Sequence, residues 1–76
     1  MKRLAVRSDG GGRPVAVRWE GRFLLARILD AWEDAGAWWE GEGEKNFYRV
    51  ELTSGPLVEL CRDTGTGSWY VYRVYD

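Results

Sequence analysis

Hydrophobic residues recur with a period of two along most of this chain. Val15, Val17 and Trp19 alternate with Ala16 and Arg18, which predicts a strand. Phe47 to Thr53 alternates again and places Tyr48, Val50 and Leu52 on an inner face. Leu57 to Arg62 and Trp69 to Tyr75 read as two further strands, and Lys2 to Arg7 as a short edge strand with Leu4 and Val6 on one face. The intervening stretches carry turn chemistry. Asp9-Gly-Gly-Gly-Arg-Pro14 is a flexible joint or a wide turn, Ser54-Gly55-Pro56 reverses the chain, and Asp63 to Gly67 is a Gly-rich turn. Gly36 to Glu44 is expected to be a loop.

One segment is ambiguous by period. In Arg22 to Gly36, residues Leu25, Ile28, Leu29 and Trp32 sit at helical spacing, and Gly36 could end a helix. The ends of the segment favour a strand. No Ser, Thr, Asp or Asn stands just before it to cap a first turn. Arg22 lies at its start and Asp30, Glu33 and Asp34 near its end, which opposes the helix dipole. A strand also turns Glu20-Gly21 into a two-residue hairpin loop, pairing Trp19 with Arg22, Val17 with Leu24 and Val15 with Ala26. Val15, Val17, Leu24, Ala26 and Ile28 then form the apolar face, and Arg18, Phe23, Leu25, Arg27 and Leu29 the other.

The expected fold is mainly β, a small antiparallel barrel or curled sheet that is SH3-like, with an α+β fold carrying one helix at about 22–35 as the alternative. Residues 1–13 form an N-terminal arm or edge strand with a Gly-rich joint, and residues 14–76 a single small β domain. A chain of 76 residues buries only about 60% of the surface its unfolded form exposes. A single cysteine, Cys61, allows no internal disulfide, and without histidine or a second thiol a structural zinc is hard to build. Packing must supply the core, and 14% aromatic content suits that task.

Charge divides the chain. Through Arg27 there are seven positive and two negative residues, a net of +5; from Ile28 onward four positive and ten negative residues give −6. The preferred expectation is that folding interleaves the two parts, and the alternative is one basic face turned to nucleic acid. There is no long apolar run for a membrane span and none behind the basic N-terminus for a signal peptide, so the expected address is cytoplasmic, with no membrane partner.

Chemistry that needs a nucleophile and a base is poorly supplied. Lack of histidine removes Ser–His and Cys–His pairs, and Cys61 within a strand reads as a small core residue. Glu40, Glu42 and Glu44 lie near a Trp pair, but a glycine-spaced acidic loop is ordinarily solvated. The expectations are no enzyme activity, no cofactor and no metal site. Trp38-Trp39 is the oddest feature: in an extended stretch neighbours diverge, so one indole is packed and the other is a lid or a contact. The candidate binding residues are Trp38, Trp39, Arg18, Arg22, Arg27 and Arg49.

The order Gly12-Arg-Pro, Arg18-Trp-Glu-Gly-Arg22, Trp32, Trp38-Trp39, Tyr48-Arg-Val-Glu51, Leu57-Val-Glu-Leu-Cys-Arg-Asp63, Trp69 and Tyr75-Asp76 resembles a small family of uncharacterised bacterial proteins known mainly from actinobacteria. It also resembles the C-terminal segment of the catalytically degenerate Y-family polymerase homologue of the bacterial mutasome, over about residues 12–76. The chain lacks every polymerase domain. The resemblance implies a stand-alone adaptor near translesion DNA repair, with no enzymatic site to carry over. A non-enzymatic protein-interaction module with a protein partner is therefore expected, and a weak single-stranded nucleic-acid-binding domain is the alternative.

Overall fold

The computed structural model describes residues 2–34 and 44–75. Seven strands run in chain order: β1 (Lys2–Leu4), β2 (Val6–Ser8), β3 (Pro14–Trp19), β4 (Arg22–Asp34), β5 (Lys45–Leu52), β6 (Leu57–Asp63) and β7 (Trp69–Tyr75). No helix occurs among the described residues. The segment from Arg22 is a strand, as its ends predicted. Glu20 and Gly21 have φ of 50° and 87°, and two positive values are what a type I′ hairpin turn requires. That turn sets the register Trp19↔Arg22 and Val17↔Leu24.

The strands form one curled antiparallel sheet in the order β1-β7-β6-β5-β4-β3-β2. Curling depends on β4, whose 13 residues serve two neighbours. Its first part pairs with β3 up to Leu25, and Ala26 to Asp34 pairs with β5. At the handover the Leu25 carbonyl accepts the Thr53 N–H at 2.9 Å. The other joint is at Ala5. β1 pairs with β7 and β2 with β3, so consecutive strands hold opposite ends of the sheet. The Ala5 carbonyl accepts the Arg18 N–H at 2.9 Å, fixing the kink to β3. The Gly-rich segment after β2 is an ordered turn: Asp9 accepts N–H bonds from Arg13 at 3.0 Å and Gly11 at 2.9 Å. These bonds, Arg13 first, hold the Asp9 carboxyl below its ordinary pKa.

The core fills the concave side. Val17, Tyr48, Val50, Leu52, Val58, Leu60 and Trp69 are buried there, with Leu4, Val6, Trp19, Leu24, Ala26 and Ile28 packed against them. The inner face expected for β5 is thus the one observed. Strict alternation fails in three places, each an extra residue on one strand. Ser8↔Pro14 and Arg7↔Ala16 leave Val15 over; Ile28↔Val50 and Asp30↔Arg49 leave Leu29 over; Glu59↔Arg73 and Leu60↔Val71 leave Tyr72 over. A bulge turns two successive side chains to one side. All three extra residues are exposed, Val15 at 42%, Leu29 at 45% and Tyr72 at 50%. This corrects the expected Val15–Ala26 pair: Ala26 pairs with Leu52, and Val15 leaves the apolar face while Pro14 and Val17 stay buried.

The two faces of the sheet should respond differently to truncation. Leu60→Ala, at a fully buried position, is expected to cost about 2–5 kcal/mol, whereas Leu25→Ala, at 68% exposure, should stay within about 0.5 kcal/mol. Urea unfolding of the two variants measures the difference, and equal losses would contradict the assigned faces.

Candidate functional site

Alternation along β4 to β7 puts a second set of side chains on the convex face. Asp30, Arg49, Glu59 and Arg73 line up across four strands, with charges alternating in sign. Cross-strand neighbours of opposite charge support one another. Glu59 is the centre of this row and only 4% exposed. Arg49 donates from Nε and Nη2 to Glu59 Oε2 at 3.1 and 3.0 Å, and the Tyr75 hydroxyl donates to the same oxygen at 2.5 Å. The Tyr75 bond, then Arg49, outweighs burial and holds the Glu59 carboxyl below its ordinary value of 4.5. A carboxylate held ionised by two donors is an acceptor and a poor proton donor at neutral pH. The same bond to Glu59 pushes the Arg49 pKa up.

Aromatic rings frame this row. Trp32 stacks on Phe47 with centroids 5.6 Å apart, and Tyr72 meets Phe47 edge-on at 5.0 Å. The Arg49 guanidinium stands 5.8 Å from the rings of Trp32 and Tyr75. Cys61, opposite Phe47 in register, is fully buried. Arg49 is therefore tied into the convex face by an acid and two rings.

The other candidate arginines lie elsewhere. Arg27 is exposed on β4 and pairs with Glu51 at 3.8 Å. Arg22, at the start of β4, lines a shallow cleft with Phe23, Leu25 and Ser54. Arg18 stands at the open end of the sheet, in a third setting. Trp38, Trp39, Glu40 and Glu42 lie outside the described residues. Among the described residues no cluster of three His, Cys, Asp or Glu side chains could hold a metal.

Arg18 lines a largely apolar cleft. Beyond Ala5, β3 ends at Trp19 while β1 stops at Lys2, opposite Val71. The gap between them is a cleft of about 370 Å³. Leu4, Trp19, Val71 and Val74 supply its apolar surface, and Lys2, Arg3, Arg18 and Glu20 supply three positive charges and one negative. Cross-strand register sets Lys2, Arg3, Arg7, Arg18 and Arg22 opposite Val71, Tyr70, Ala16, Phe23 and Trp19. Arg27 meets an acid across the ladder, but these five cations meet uncharged residues, so the interleaving expected of the charges is incomplete.

The sequence pattern offered Arg18 but not Lys2, Arg3, Trp19, Val71 or Val74 as site residues. They come together only because β1 and the end of β3 approach β7. Glu59 did carry a local signal, as an acid inside the apolar run Leu57-Val-Glu-Leu-Cys61.

A family match spans residues 1–76. The chain belongs to the family described as Domain of unknown function (DUF6504). No curated protein and no solved structure matches it. Membership of this family agrees with the resemblance to a small uncharacterised domain family. No helix among the described residues is long and apolar enough to cross a membrane.

Glu59 gives this face a defined pH response. Its lowered folded pKa contributes stability that is present above 4.5 and lost as pH falls through the folded value. Glu59→Gln should lower the melting temperature at neutral pH and shrink the further loss on acidification to about pH 3. A series of thermal melts across that range checks it; an unchanged acid limb would assign the loss to other carboxylates.

Proposed function

We propose that this chain is a non-enzymatic protein-interaction module, an adaptor that takes an acidic, apolar-anchored segment of a partner protein in the cleft between β1, β7 and the end of β3. The observation that carries this reading is the composition of the cleft. Leu4, Trp19, Val71 and Val74 offer an anchor side chain apolar surface to bury, and Lys2, Arg3 and Arg18 outnumber Glu20 around it. Binding clefts commonly combine an apolar lining with a few polar groups that fix orientation, and complementary charge speeds encounter and rejects wrong partners. The absence of histidine and the full burial of Cys61 support a binding role over nucleophilic catalysis. The resemblance to the mutasome polymerase homologue is the ground for placing the partner in translesion DNA repair.

A second reading, weak binding of single-stranded nucleic acid, is favoured by the five cations that face uncharged residues and by Arg7, whose guanidinium lies 4.1 Å from the centre of the partly exposed Phe23 ring. Exposed rings beside cations can stack bases and hold phosphates.

Fluorescence anisotropy separates the two. A labelled peptide alternating Asp and Leu should bind, a Lys–Leu peptide should not, and the double variant Arg3→Glu, Arg18→Glu should weaken the acidic peptide by about tenfold or more. Tighter binding of an oligo-dT strand than of the acidic peptide, falling steeply with salt, would replace the first reading by the second.

A further inference from the structure

β7 is paired on one side along its length except at the bulged Tyr72, and half paired on the other. Its ladder with β6 runs from Trp69 to Tyr75. On the far side β1 pairs only with Trp69, Tyr70 and Val71. Among the described residues Tyr72 to Tyr75 have no strand on that side. Past the bulge at Tyr72 the β6 ladder resumes in register at Arg73, Val74 and Tyr75, so this stretch is regular strand with outward backbone groups. Such an edge is a template for another extended chain. The cleft borders it, because Val71 and Val74 contribute from β7 and Lys2 marks the end of β1.

We propose that the partner segment binds by adding a strand to the free edge of β7, in line with β1, so that its backbone pairs with Arg73 to Tyr75. The proposal rests on the interaction-module reading and specifies how the partner is held. β1 itself is held to β7 by three residue pairs, so an added strand of similar length is in keeping with this edge. Side chains on such a strand point alternately to the two faces of the sheet. One set lies beside Val71, Val74 and Trp19 and is apolar. The other lies beside Arg73, which is exposed on the convex face, and is acidic. Lys2, Arg3 and Arg18 reinforce the demand for negative charge. The occupant is thus an extended segment of alternating acidic and apolar residues from another protein.

The test uses the full chain and an acetylated peptide alternating Asp and Leu. Amide hydrogen exchange is followed by NMR with and without saturating peptide. Outward amides within Arg73 to Tyr75 should slow by about tenfold or more, while those bonded to β6 change little. Methylating the peptide's backbone nitrogens at alternate positions should weaken binding by about tenfold in one register and hardly in the other. Binding without slowed exchange, and with equal tolerance of both methylation registers, would overturn strand addition yet leave side-chain docking in the cleft intact. Failure of the peptide to bind at all would remove both the interaction reading and this inference. Slowing of the same amides on raising protein concentration without peptide would assign the edge to a second copy of the chain and overturn the proposal.

Discussion

Lys2–Leu4 runs along β7 and Val6–Ser8 along β3, so a few residues at the start of the chain hold both ends of the sheet. The curl over the core depends on that double attachment. Ala5 is the hinge between the two short strands, and its carbonyl bond from Arg18 keeps the kink against β3. Leu4 and Val6, on either side of the hinge, pack against the buried cluster that includes Val50, Leu52 and Leu60. In a chain this short the apolar surface is limited, and leaving both edges open would expose a large share of it. The attachment is nevertheless incomplete. β1 stops before the end of β7, and β3 runs beyond the point where β2 covers it, which creates a region where core side chains and backbone edge lie together among neighbouring cations.

The convex face works by different physics. There the order comes from a carboxylate shared between Arg49 and Tyr75, with rings at either side. Removing a charge from water is costly unless donors replace the lost hydration. Glu59 meets that condition, and among the described residues no buried side-chain nitrogen or oxygen lacks a hydrogen bond. Arg49 is thereby committed to the fold, while Lys2, Arg3 and Arg18 line the cleft. Arginines that look equivalent in sequence thus stand in different surroundings.

Bulges connect the two faces. Those at Val15, Leu29 and Tyr72 each restore the alternation one residue out of step, keeping Val17, Ala31 and Val74 on the inner side while turning the extra residue outward. Tyr72 reaches Phe47 this way, and Val71 and Val74 both remain beside the cleft although three residues apart.

The sequence by itself determined the strand content, the reversal at Glu20-Gly21, the inner face of β5 and the basic character of the first third. Each of these is a local matter: a period of two, a turn that tolerates positive φ, the wrong charge order for a helix, a count of arginines. Tertiary structure decided the rest. A bulge at Val15 has no compositional mark, because valine suits a regular strand equally well. The partners of Glu59 lie 10 and 16 residues away, and only the register of three strands brings them to one oxygen. The cleft draws on β1, β3 and β7, whose meeting requires the ends of the sheet to be joined through Ala5, and no pattern within any one of those strands encodes that long-range closure.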